Sequence, residues 1–245
     1  MKLSQLLDKS EGTETSPCAA KPNLTTTFDA PNPDITFLTS DSRKIKPGAL
    51  FAALPGTDID GRTFIDDALA RGAVAILAPE GTPAPQKHDK PVAFVTDANP
   101  RQSFSRMAAV FYSHQPDFIA AVTGTNGKTS VVNFCQQLWL QAGINGASMG
   151  TLGVIKGDSS DNTCFANAMT TPDPVILHQC LDTLAQEEVH CLALEASSHG
   201  LHQARLDGLR ISAAAFTNLT QEHLDYHGTM ESYLFSPKIL WYGLS

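Results

Sequence analysis

No apolar stretch in this 245-residue chain approaches the length needed to span a bilayer. After Met1 and Lys2 the sequence turns polar at once, without the apolar segment of a secretion signal. Basic residues are few, 17 against 25 acidic ones, and the net charge of −8 argues against a nucleic-acid-coating role. Any anion must be bound locally, by backbone N–H groups and a few Lys or Arg. The five cysteines form no C-x-x-C pair and no zinc-like spacing, as suits free thiols in a reducing compartment. These absences predict a soluble cytoplasmic protein with no membrane and no nucleic-acid partner; they leave its oligomeric state open. What is present, 42% hydrophobic and 17% charged residues, suits one large or two modest domains.

Residues 9–33 are rich in Thr, Ser, Pro and Asn and are predicted to be loop, leaving residues 1–34 largely without regular structure. Short strands are expected at Ile35–Leu38 and Leu50–Leu54, then a helix over Phe64–Arg71 closed by Gly72. Buried strands follow at Ala73–Ala78 and Val92–Thr96. Asn99-Pro100 opens a helix running to about Tyr112. A Pro-containing linker at Ser113–Asp117 places a domain boundary near residue 114, giving domains 1–114 and 115–245. Beyond it, strands alternate with helices. Phe118–Val122 is a strand and Lys128–Ala142 a helix with Val131, Cys135, Leu138 and Ala142 on one face. Asp173-Pro174 opens a helix whose face is Leu177, Cys180, Leu181 and Leu184. Leu192–Leu194 and Ala213–Phe216 are further strands. The fold class is α/β: a small α/β domain followed by a mostly parallel α/β domain.

Three polar segments each follow a strand. Gly124, Thr125, Asn126, Gly127, Lys128, Thr129 and Ser130 join a strand to a helix, where glycines let N–H groups turn in around a phosphate and the helix N-terminus adds partial positive charge. Lys128 then faces the β- and γ-phosphates, and the Thr129 hydroxyl is a Mg²⁺ ligand. A G-x-x-x-x-G-K-[ST] loop would have its first glycine at Val122, so this loop is a shorter form. Glu195 ends a second strand, where an acid beside such a loop can hold Mg²⁺; the bland alternative is a solvated strand-end carboxylate. Thr217-Asn218-Leu219 and His223-Leu224-Asp225-Tyr226-His227-Gly228 follow a third strand. A single histidine there would more often be structural. In an open α/β sheet, loops at the carboxyl ends of neighbouring strands meet in one crevice.

With these motifs the chain resembles the Mur ligases from about Ile35 onward. The G-x-N-G-K-[ST] loop is shared with folylpolyglutamate synthetase. Asp41-Ser42-Arg43, Pro47-Gly48, Leu50-Phe51, Gly56 and Asp60-Gly61 resemble the family's UDP-binding domain. Glu195-Ala196-Ser197-Ser198-His199-Gly200-Leu201 and the His223–Gly228 run resemble the members that add the third amino acid, more than those acting at the fourth step. The resemblance implies uridine-side contacts at Ser40, Ser42, Thr57, Asp58 and Ile59. It implies muramoyl-dipeptide contacts at Thr170, Thr171, Ser197, Gln203 and Arg205; Met169 stands where the family has an asparagine. ATP falls on Gly124 to Ser130. Mg²⁺ falls on Thr129, Glu195 and His223, and the catalytic set is Lys128, Glu195 and His223.

The implied activity is ATP-dependent amide formation through an acyl phosphate. Its partners are UDP-MurNAc-L-Ala-D-Glu, ATP and a diamino acid, diaminopimelate or lysine. Arg205 would hold acidic groups of the substrate. The family's C-terminal amino-acid-binding domain is expected to be absent from this chain, so the fragment is expected to be inactive alone. The slot for the family's carbamylated lysine holds Pro237, with Lys238 one residue late. Either a local shift lets Lys238 serve or the tail from about Phe235 is foreign to the family. The rival readings are a catalytically silent nucleotide or UDP-sugar binding module, a fourth-step ligase and a small P-loop kinase.

Overall fold

The computed structural model describes residues 1–11, 25–28, 32–56, 59–85, 91–157 and 170–220. The chain divides into two compact units between Phe111 and Tyr112. Each is an α/β unit whose described residues build a five-stranded sheet.

The first unit contains strands β1 (Thr25–Phe28), β2 (Phe37–Thr39), β3 (Ala49–Ala52), β4 (Ala73–Pro79) and β5 (Ala93–Asp97) in the order β1-β5-β4-β3-β2. All neighbours are parallel except β1, which pairs antiparallel with β5. Continuous apolar runs such as Ala-Val-Ala-Ile-Leu-Ala in β4 are what a parallel sheet buried on both faces requires. Helix α2 (Ile65–Ala70) ends before Gly72, whose φ of +100° reverses the chain while its N–H donates to the Leu69 carbonyl at 3.0 Å. At the start of α3 (Pro100–Phe111), buried Asp97 accepts from the Asn99 amide at 2.6 Å and from Ser103 Oγ at 2.9 Å.

The expectation that residues 1–34 are largely loop is corrected at both ends. Helix α1 covers Leu3–Glu11 and buries Leu3, Leu6 and Leu7, spaced i, i+3, i+4. The polar residues between them mask a single apolar stripe. Strand β1 is Thr-Thr-Thr-Phe, a β-branched run whose strand preference outweighs its polarity.

The second unit has β6 (Phe118–Thr123), β7 (Gly146–Gly150), β8 (Gly153–Lys156), β9 (Cys191–Glu195) and β10 (Ala213–Phe216) in the order β10-β6-β9-β7-β8. The first four in that order are parallel, and β8 folds back antiparallel on β7. Alternate residues of β9 serve the two faces. Leu192 and Leu194 join the cluster containing Leu177, Cys180, Leu181 and Leu184 of α5 (Pro174–Gln186), whereas Ala193 packs with Val132 of α4 (Lys128–Gln141). The α5 face is the one expected, and its N-cap Asp173 accepts from the Val175 amide at 2.9 Å.

The expected face of α4 is corrected in half: Val131 and Cys135 pack as expected, whereas Leu138 and Ala142 are exposed. Its packed residues are Val131, Val132, Cys135 and Trp139, with Gln136 buried, and Leu138 is 63% exposed. The β7–β8 hairpin, which spacing alone does not reveal, occupies one edge of this sheet.

Candidate functional site

The loop between β6 and α4 takes its shape from two glycines. Gly127, the N-cap of α4, has φ +86°, and a Cβ there would meet nothing within 4 Å among the described residues, so these leave the loop open at the helix N-terminus. Gly124 has φ +125°, and a Cβ there would overlap Thr217. The first is an open cradle and the second a close approach.

That approach is a set of hydrogen bonds from the segment following β10. Asn218 accepts from the Thr125 amide through its carbonyl at 2.9 Å and from the Asn126 amide through Oδ1 at 3.0 Å. Its Nδ2 donates to the Asn126 carbonyl at 3.0 Å, as does Thr217 Oγ1 at 2.7 Å. Thr125 Oγ1 accepts from the Thr220 amide at 2.9 Å. The Thr125 and Asn126 amides are thereby occupied. The amides opening α4, from Gly127 to Ser130, have no helical carbonyl one turn back and could receive a phosphate. Lys128 Nζ lies within the loop, donating to the carbonyls of Gly124 at 2.7 Å and Thr125 at 2.8 Å. Thr129 is half-buried and Ser130 exposed in the same first turn.

Glu195 ends β9 directly beside this loop, its Cα paired in register with Val122 of β6. It is 2% exposed, so the solvated strand-end alternative does not hold. Its Oε1 accepts from the Thr151 amide at 3.0 Å, and Oε2 lies 3.4 Å from Thr151 Oγ1. Gly150, at the end of β7, makes room for this carboxylate; a Cβ there would overlap it. Thr151 and Gly150 escaped the sequence reading, because their strand is a run of small residues without a distinctive periodicity.

Next to Glu195 lies a hydrogen-bonded group containing Thr170, Thr171, Ser197, Gln203 and Arg205. Thr171 Oγ1 donates to the Glu195 carbonyl at 3.0 Å and accepts from the Ser197 amide and hydroxyl at 2.9 and 3.0 Å. Ser197 caps α6 (Ser198–His202), accepting from the Gly200 amide at 3.1 Å. Arg205 Nη1 donates to the Thr171 carbonyl at 2.6 Å, and its Nε and Nη2 donate to Gln203 Oε1 at 3.2 and 2.7 Å. Thr170 Oγ1 is 3.1 Å from Thr151 Oγ1, closing the group back onto Glu195. All five residues read from the sequence as one set occupy one network.

In the first unit, Ser40 and Ser42 flank Asp41, which ends the strand β2 region and caps a 3-10 turn over Ser42–Lys44. The Arg43 side chain donates to Asp41 at 2.9 Å and holds its carboxyl below the ordinary range. Ile59 is exposed, and its carbonyl accepts from the Gly56 amide at 3.0 Å across a bridge between Pro55 and Asp60. Arg101, from α3, donates to the Pro55 carbonyl and steadies this turn. Thr57, Asp58, His223 and Lys238 lie outside the described residues. Among the described residues no three His, Cys, Asp or Glu side chains gather as a metal-binding group, and no helix is long and apolar enough to cross a membrane.

Residues 34–125 match the Mur ligase family, catalytic domain, and residues 122–245 match the Mur ligase middle domain. A UDP-N-acetylmuramoyl-L-alanyl-D-glutamate--2,6-diaminopimelate ligase of Rhizobium meliloti (strain 1021) is 48% identical over 208 residues, 85% of this chain and 41% of that protein. The similarly named protein of Brucella melitensis biotype 1 is 51% identical over 201 residues, covering 82% of this chain and 40% of its own length. A solved structure of a ligase of that name has a TM-score of 0.71 and 32% identity, covering 88% of this chain and 43% of that one. The chain thus spans about two fifths of the length of the curated relatives it matches. With both matched domains together reaching from residue 34 to residue 245, the chain belongs to the Mur ligase family.

Proposed function

We propose that this chain supplies the UDP-substrate and ATP-binding parts of a ligase that joins an amino acid to UDP-MurNAc-L-Ala-D-Glu. The amino acid is 2,6-diaminopimelate, as in the names of the relatives, and the setting is cytoplasmic peptidoglycan precursor synthesis. Residues 1–114 take the uridine end, through Ser40, Ser42, Thr57, Asp58 and Ile59. Residues 115–245 take ATP and the muramoyl dipeptide. The observation that carries the reading is the junction at the carboxyl ends of β6 and β9. There the open glycine cradle, buried Glu195 and the Thr171–Ser197–Arg205 network adjoin one another.

The residues present fit both groups. Gly127 leaves open space in front of the α4 amides for a phosphate. The Glu195 carboxylate and Thr129 hydroxyl are hard oxygen donors of the kind Mg²⁺ takes; His223, a nitrogen donor, is a further candidate. When bound, Mg²⁺ supplies charge neutralisation between the triphosphate and the attacking carboxylate.

The chain's own residues provide positioning. The α4 amides receive phosphate oxygens, and Lys128 exchanges its two carbonyl partners for the β- and γ-phosphates. Arg205, its guanidinium plane set by Thr171 and Gln203, holds the substrate's acidic groups near the γ-phosphate. The D-glutamate side-chain carboxylate attacks phosphorus to give an acyl phosphate and ADP. The amine of the diamino acid then displaces phosphate, forming the amide.

The test mixes the purified chain with ATP, Mg²⁺, UDP-MurNAc-L-Ala-D-Glu and 2,6-diaminopimelate, following both binding and product. Phosphate release with amide product upholds the ligase. Nucleotide and UDP-substrate binding without amide product leaves a binding module. No binding of either refutes the reading.

A further inference from the structure

We propose that Thr151 is a positioning residue that orients the Glu195 carboxylate and couples it to Thr170, fixing Thr170 as a hydrogen-bond acceptor toward the substrate. The inference rests on the reading of Glu195 and Thr170 given above and adds a residue to it.

Glu195 has little freedom of its own. Its carboxylate lies against the bare backbone of Gly150, where any side chain would displace it. The Thr151 amide fixes Oε1 at 3.0 Å, and the Thr151 hydroxyl stands by Oε2 at 3.4 Å. Burial to 2% exposure leaves few competing waters, so these donors set which lone pairs face the nucleotide loop. Residues that fix a ligating carboxylate in this way commonly govern metal affinity about as strongly as weak ligands do.

The hydroxyl arithmetic then extends to Thr170. Thr151 has one hydroxyl proton and, among the described residues, two oxygen neighbours, Glu195 Oε2 and Thr170 Oγ1 at 3.1 Å. A charged carboxylate is the stronger acceptor, so the Thr151 proton goes there. Thr170 then donates its own proton to Thr151 Oγ1 and turns its lone pairs outward. The substrate group it meets is an N–H or O–H donor, such as a peptide amide, rather than a carboxylate. One hydroxyl therefore links the acid that faces the metal to the group that faces the dipeptide.

The experiment measures ATP binding to the full chain by calorimetry as Mg²⁺ is varied, and again in EDTA. In Thr151→Val, which keeps the shape and the backbone N–H, the Mg²⁺ concentration for half-saturation rises about 10-fold. ATP affinity in EDTA stays within about two-fold, which shows that the loop and fold are intact, and Thr151→Ser keeps the Mg²⁺ dependence of the unsubstituted chain. An unchanged Mg²⁺ dependence in Thr151→Val, or a Thr151→Ser as impaired as Thr151→Val, overturns the proposal. Absence of Mg²⁺-dependent binding in the unsubstituted chain overturns the site reading and this inference with it.

Discussion

His178 gives the stability of this protein a pH dependence that can be worked from one side chain. It lies on the inward face of α5, fully buried, with Nε2 3.3 Å from the Asp207 carbonyl oxygen. Nδ1 is buried without a hydrogen-bond partner among the described residues. A neutral ring donating from Nε2 satisfies Asp207 and leaves only an unpaired acceptor, whereas a protonated ring would bury a charge and a stranded donor. Burial accordingly pushes the pKa from 6.5 down to about 4, against the smaller opposing effect of the Asp207 carbonyl. The unfolded chain takes up its proton as the pH falls through 6.5, while the folded chain resists until about 4. The contribution is therefore complete above 6.5 and is lost on descending toward 4, a total of about 3 kcal/mol. Between about pH 7.5 and about pH 5 the loss is about 2 kcal/mol. Urea unfolding at those two pH values measures it, with His178→Gln as the reference because Gln keeps an N–H for Asp207 and does not titrate. The unsubstituted chain should lose about 2 kcal/mol more than His178→Gln over that interval. Equal losses in the two proteins would refute the assignment of the pH dependence to this ring.

Four further outcomes follow from the geometry. Lys128→Ala should weaken ATP binding about 100-fold in calorimetry, since it removes a charge-assisted donor from the triphosphate. Gly150→Ala should raise the Mg²⁺ needed for ATP binding by about 10-fold or more, by pushing the Glu195 carboxylate off its seat, and should cost about 1–3 kcal/mol in urea unfolding because the displaced carboxylate is buried and hydrogen-bonded. Leu6→Ala should cost about 3 kcal/mol in denaturant unfolding, whereas Leu138→Ala, on the exposed side of α4, should cost less than about 0.5 kcal/mol. Asp173→Ala should cost about 1 kcal/mol by removing the cap of α5.

The elements that frame the candidate site were legible where their signals are local. A glycine loop needs only a strand before it and a helix after it, and both are written in the adjacent residues. The capped helix α5 was legible for the same reason, since Asp173-Pro174 and the Leu177–Leu184 stripe lie within a few turns. What escaped depends on partners distant in the chain. Strand β7 is Gly-Ala-Ser-Met-Gly, and it is a strand because β9 and β8 pair with it, not because its residues favour one. Thr151 carries no motif; it matters only because β7 and β9 are neighbours. The α4 stripe was displaced for another long-range reason. Val132 and Trp139 face the sheet, leaving Phe134 and Leu138 on the outer surface, a distinction that hydropathy alone does not make.

The hydrogen bonds from Thr217 and Asn218 explain why the nucleotide loop of this chain can be shorter than a G-x-x-x-x-G-K-[ST] loop and still hold its shape. A longer loop can wrap a phosphate with its own amides. Here two loop amides, Thr125 and Asn126, are held by a neighbouring strand's segment, and the amides at the helix opening are the ones the proposed reading assigns to an anion. The loop is thus preorganised by β10 rather than by its own length. Its Gly124 is required by that neighbour, since a side chain would strike Thr217, while Gly127 is favoured by its left-handed φ of +86° rather than by crowding. Two glycines three residues apart therefore answer to different constraints. Asn218→Ala should loosen the loop without touching the phosphate donors themselves, lowering ATP affinity in EDTA and in Mg²⁺ by the same factor, whereas changes at Glu195 or Thr151 act only when the metal is present. A Mg²⁺-selective defect in Asn218→Ala would show that the β10 segment serves the metal rather than the loop.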